Sequence, residues 1–154
     1  MATTVPREGD DLGGLDPAVV ERLAAAVEQG AWGTGALLPG IAPSVADDPR
    51  IAAWWRRWER MSATPNMAAS MLRTLLDLDV RALLPAVTAP ALVLHRVDNA
   101  LVSGAAVRRL VEGLPDGRLV ELPGADLAAF FGETDALLDE VEEFLTGTRT
   151  GADT

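Results

Sequence analysis

A chain of 154 residues, 49% of them hydrophobic, is long enough to pack one domain. Its 13 basic residues, all arginine, stand against 23 acidic ones, and the formal charge of -10 repels phosphate backbones and anionic lipid, which argues against nucleic-acid and membrane partners. Cysteine is absent, which excludes disulfides and thiol chemistry; the single histidine, His95, leaves little scope for a zinc site or a histidine-activated nucleophile, and no lysine is present for Schiff-base chemistry.

Met1–Leu15 has no apolar centre of the kind a signal peptide needs, and no apolar run reaches the roughly 18 residues that span a bilayer, so a soluble cytoplasmic chain is expected. Residues 1–14 and 148–154, rich in Gly, Thr and Asp, are expected to be disordered tails. Asp16-Pro17 supplies a cap and a first-turn proline for a helix that runs through AVVERLAAAVEQ and stops at Gly30. Residues 30–46 are broken by Gly and Pro and predict short turns at most. Asp48-Pro49 opens a second helix, RIAAWWRRWERM, and Thr64-Pro65 a third, NMAASMLRTLLDL, with a short helical turn at 79–84. The apolar run Ala91–His95 then reads as a strand, 103–113 as a helix capped by Ser103, and Arg118–Leu122 as a second strand. Two apolar strands joined by a helix form a parallel βαβ unit. A closing helix at 134–146 presents Leu137, Leu138, Val141, Phe144 and Leu145 as its apolar face, with Asp139, Glu140, Glu142 and Glu143 largely outside.

Five segments, taken in order, carry a family likeness: IAPSVADDP at 41–49, WWRRWERMSATP at 54–65, LDLDVRALLPAVTAPALVLHRVDN at 76–99, GRLVELPGAD at 117–126 and FFGETDALLDEVEEFLTG at 130–147. Over roughly residues 20–147 the chain resembles the C-terminal half of the α/β-hydrolase family, in its actinobacterial form. The resemblance implies a helix-rich α/β fold, truncated and α/β-hydrolase-like: a helical lid at 15–85 and a small parallel βαβα half-sheet at 86–147, completed by dimerisation.

The family's catalytic residues do not carry over. A serine on a sharp GxSxG elbow is needed to project its hydroxyl toward substrate, and none of Ser44, Ser62, Ser70 and Ser103 lies in that frame; the half of the fold that bears the elbow is expected to be missing. By the resemblance, the acid position falls on Asn99, with Asp98 one residue early, and the histidine of the Gly-x-Asp-His pattern falls on Leu127, after Gly124-Ala125-Asp126. An aliphatic side chain neither takes a proton nor returns one. His95 ends a strand where the family has a non-catalytic histidine.

What remains is an aromatic constellation. Trp54, Trp55 and Trp58 lie within five residues of one helix, with Trp32 before them and Met61, Met67 and Met71 as soft surface nearby. Leu127, Phe130 and Phe131 add apolar surface at the old active-site mouth. Such a stripe reads either as plain core or as the wall of an apolar ligand pocket. The expected ligand-binding residues are Trp32, Trp54, Trp55, Trp58, Met61, Leu127, Phe130 and Phe131. Asp98 and Asp126, on loops at the ligand side of a parallel sheet, are the candidate general acid and base, whereas Asp77 and Asp79 read as caps or arginine partners. Neither metal nor cofactor is expected. The composite expectation is a non-hydrolytic family relative, a homodimer, that binds a hydrophobic small molecule and acts as a cyclase or isomerase; the alternative is a non-catalytic subunit docking on a larger enzyme.

Overall fold

A computed structural model describes residues 17–148. The expected N-cap Asp16 and the tails at 1–14 and 149–154 lie outside the described residues. Helix α1 (Pro17–Ala26) buries Val20 and Ala24 and widens into a π turn, Val27–Ala31, where Gly30 takes φ 102°. That left-handed conformation is open to glycine at no steric cost, and it ends the helix as the sequence predicts.

Segment 30–46 forms short turns, as the sequence predicts. A four-residue helical turn, α2 (Leu38–Ile41), is followed by a 3-10 turn at Pro43–Val45. Both prolines sit in a first turn, where the missing N–H has no partner to lose, so they open these turns rather than break them. Helix α3 (Pro49–Ser62) begins at Asp48, whose Oδ1 accepts from Arg50 N at 2.7 Å and Ile51 N at 3.4 Å. Helix α4 (Pro65–Asp77) begins at Thr64, whose hydroxyl accepts from Met67 N. Small side chains let α1 and α4 approach closely: Ala24, Val27, Ala68 and Ala69 form one buried cluster, against which Trp32, Leu37, Ala63 and Leu72 pack. Arg73 ties the same pair across its surface, meeting Glu28 at 2.6 Å and Glu21 at 3.2 Å. A 3-10 turn at Arg81–Ala86 leads to the sheet, and Asp79 pairs with Arg81 as expected.

Strands β1 (Ala91–Arg96) and β2 (Gly117–Leu122) pair in parallel, from Ala91 opposite Gly117 to Arg96 opposite Leu122, each one residue longer than the sequence predicts. Between them α5 (Gly104–Glu112) starts on Ser103, whose Oγ accepts from Ala106 N at 3.2 Å. Helix α6 (Asp135–Thr146) packs on both strands and ends at Gly147 in the left-handed region. Its inward stripe differs from the predicted one. Leu137, Val141 and Phe144, spaced i, i+4, i+7, are half-buried, whereas Leu138 and Leu145, about 100° round, are exposed. Glu140 takes their place inside, drawn in by Arg118 at 2.8 Å.

The helical part is fastened to the loop after β2 by backbone. The carbonyl of Ile41 accepts from Leu127 N at 2.8 Å and from Ala128 N at 3.3 Å. Phe131 packs on a second core cluster of Leu38, Ala42 and Trp55.

Candidate functional site

Helix spacing alone brings the α3 tryptophans together, and packing then decides their exposure. Trp55 is 4% exposed and donates its indole N–H to Glu59 Oε1 at 2.9 Å; Trp54 and Trp58, on the outer side, are 46% and 45% exposed. The Trp55 and Trp58 centroids lie 4.9 Å apart, and Trp54 stacks on Trp58 at 6.4 Å. Phe131 meets Trp54 edge-on at 6.2 Å and Phe130 at 4.7 Å, so α3 and the loop after β2 form one aromatic wall. Phe130 is exposed on it; Met61, further along α3, is exposed as well, and Leu127 is half-buried. Trp32 stands apart: it packs on the α1–α4 cluster and donates to Ala63 O at 2.9 Å.

Glu59 is a buried carboxylate that sequence reasoning passed over. It is fully buried, and its Oε2 accepts from Gly33 N at 2.9 Å and Gly35 N at 3.2 Å while Oε1 takes the Trp55 N–H. Both glycines sit at φ 81°, the positive-φ conformation that aims two backbone N–H groups at one oxygen. The signal was present as an acid four residues after a tryptophan, with a Gly-x-Gly upstream, but it reads as a solvated charge.

The C-terminal ends of the strands carry a second group. Asp126 is 5% exposed; its Oδ1 accepts from Ser44 N at 3.0 Å and its Oδ2 from Ser44 Oγ at 2.6 Å. Arg96, also buried, reaches Oδ2 at 3.5 Å and donates to the carbonyls of Asp126 and Glu133, each at 3.3 Å. Gly132 (φ 72°) lies so close to Asp126 Oδ2 that a β-carbon there would overlap it. These groups open on a cleft of about 390 Å³ lined by Ser44, Arg96, Asp126 and Glu133, with Pro43, Gly124, Ala125 and Gly132. Arg96, at the end of an apolar strand, was not among the expected site residues.

Asp98 is exposed and, among the described residues, its carboxylate has no partner. Asn99 donates from Nδ2 to Ala125 O at 3.1 Å and accepts at Oδ1 from Leu101 N and Val102 N at 2.9 and 2.8 Å. A carboxylate could not make the first of these bonds, so this position ties two loops together through an amide. His95 is buried opposite Glu121 in the strand register; burial pushes its imidazole below the ordinary value, a shift opposed by Glu121 and aided by Arg108. Among the described residues no group of three or more His, Asp or Glu could hold a metal ion, and no helix is long and apolar enough to cross a membrane.

No protein-family model and no curated protein matches the chain. Solved structures do. An enol-lactonase from Burkholderia xenovorans superposes with TM-score 0.70 and 24% identity over 84% of this chain and 51% of that one. An esterase from Exiguobacterium antarcticum gives TM-score 0.74 and 17% identity over 93% of this chain and 53% of that one. An α/β hydrolase from a deep-sea metagenome library gives 0.60 and 18% over 90% and 54%. The chain thus has an α/β-hydrolase-like architecture and spans about half the length of the structures it matches.

Proposed function

We propose that the chain is a non-hydrolytic relative of the α/β-hydrolases that binds an apolar small molecule against the aromatics of a helical lid. The observation that carries this reading is the edge-on contact of Trp54 with Phe131 at 6.2 Å. It joins α3 to the loop after β2 in one apolar wall at the end of a parallel sheet where ligands bind, and Trp54, Trp58 and Phe130 are left exposed on it. Leu127 supports the absence of hydrolysis, because it stands where the resemblance puts the general base. The reaction we propose for a carboxylate on the same loop as Phe130 and Phe131 is a proton-shuttling one, a cyclisation or isomerisation. Asp126 at the cleft is its first candidate acid or base, and the exposed Asp98 its second.

Two copies would complete the half-sheet as a homodimer. Its support is a two-stranded parallel sheet with apolar strands and no third strand among the described residues, since parallel sheets are stable when covered. The same open sheet favours the second reading, a non-catalytic subunit docking on a larger enzyme. Sedimentation of the purified chain separates them: a homodimer supports the first, and a monomer supports the other.

Titration of tryptophan emission with 1-decanol tests the pocket. A saturable blue shift is expected, weakened about tenfold in Trp58→Ala by the lost apolar contact. An emission spectrum that does not move would remove the pocket.

A further inference from the structure

We infer that the exposed stripe of α3 takes an anionic amphiphile, a free small molecule with an apolar body and one carboxylate. The inference rests on the apolar site proposed above and names what the other end of its ligand carries. Trp54, Arg57, Trp58 and Met61 are spaced i, i+3, i+4 and i+7, so they share one helix face, and all four are exposed. The Arg57 Nε–H lies 3.5 Å from Met61 Sδ, which lays the guanidinium along the stripe instead of out into water. A thioether is a weak acceptor and leaves the positive charge unmet.

Four of the other arginines in this acidic chain meet a carboxylate closely, Arg73, Arg81 and Arg108 at 2.6 Å and Arg118 at 2.8 Å, whereas Arg22, Arg56 and Arg109 show no ion-pair partner among the described residues. Among the described residues no carboxylate lies within ion-pair distance of Arg57. Its own helix supplies none. Over Pro49–Ser62 there are Arg50, Arg56, Arg57 and Arg60 against Glu59 alone, and Glu59 is buried with its oxygens turned to Gly33, Gly35 and Trp55. Arg60 is held by Gly33 O at 2.6 Å, and Arg50 lies beside the capping Asp48 at 3.8 Å. A local cationic surface in a chain of charge -10 is therefore centred on the guanidinium inside the aromatic stripe. A carboxylate there would face Arg57 while its hydrocarbon lies across Trp54 and Trp58. An anionic bilayer is a poorer occupant, because the charge of the whole chain opposes approach to it.

The test is tryptophan fluorescence of the full chain, titrated with decanoate and with 1-decanol, each below its self-association limit. Decanoate is expected to bind about fivefold more tightly, the increment of one solvent-exposed ion pair. Arg57→Gln, which keeps helix propensity at an exposed position, is expected to equalise the two, with the circular dichroism spectrum unchanged. Equal affinity for the two in the unmodified chain overturns the inference and leaves the apolar site standing. No response to either overturns both. A response to phosphatidylserine vesicles but not to monomeric decanoate assigns the stripe to a membrane surface and likewise overturns it.

Discussion

Asp126 and Glu59 are both buried acids, but they are held in different ways. Asp126 faces a buried guanidinium, and removing it leaves Arg96 charged and unpaired in the interior. Asp126→Ala is therefore expected to cost about 3–5 kcal/mol, the range for breaking a buried ion pair from one side, as read from urea unfolding. Gly132→Ala acts on the same carboxylate by overlap and positive φ, at about 1–3 kcal/mol. Glu59 is satisfied by three N–H donors without a cation, so Glu59→Gln must aim an amide N–H at one of them; about 1–3 kcal/mol is expected from the lost acceptor. His95 sets a pH dependence. Its folded-state value lies below the unfolded 6.5, so the unfolded chain binds the extra proton as pH falls. The contribution of His95 is full well above pH 6.5 and declines as pH falls below it, and His95→Gln should flatten that slope in denaturation curves below pH 6.5. Residue types announced some of these roles: Ser103 as a cap and Asp79 as an arginine partner follow from local chemistry. Glu59, Arg96 and Asn99 were not legible in this way, because each has a partner 24 to 37 residues away along the chain.

Among the elements, those with local start signals were read nearly to the residue. Asp48-Pro49, Thr64-Pro65 and Ser103-Gly104 each place a side-chain acceptor against the first turn of a helix. Asp48→Ala is expected to lower stability by about 1 kcal/mol. Segment 30–46 folds as the short turns the sequence predicts, but the tertiary partners that hold it were not legible: Glu59 on Gly33 and Gly35, and the loop after β2 on Ile41. Helix α6 was misjudged for a similar reason, Arg118 drawing Glu140 inward at the expense of Leu138 and Leu145. On α3 the two readings of the aromatic stripe divide between neighbouring residues. Trp55 is core, and Trp55→Ala should cost about 3–5 kcal/mol. Trp58 is half exposed, and Trp58→Ala should weaken ligand binding with much less loss of stability, which paired urea and decanol titrations would show.

The whole molecule is a helical layer bonded through backbone and through Ser44 to a two-stranded parallel sheet. The length of the chain alone suggested an ordinary small domain; the order of its motifs made it half of a larger architecture, and the superpositions agree in covering about half of each matching structure. The proposed function requires an aromatic wall that receives a substrate-like molecule together with machinery that does not cleave it. Titration with p-nitrophenyl butyrate tests both in one cuvette, the tryptophan emission reporting binding and p-nitrophenolate absorbance reporting cleavage. Saturable quenching with no release above the buffer rate is the predicted result. Release well above buffer that is lost in Asp126→Asn or Ser44→Ala, or the absence of any quenching, would contradict it.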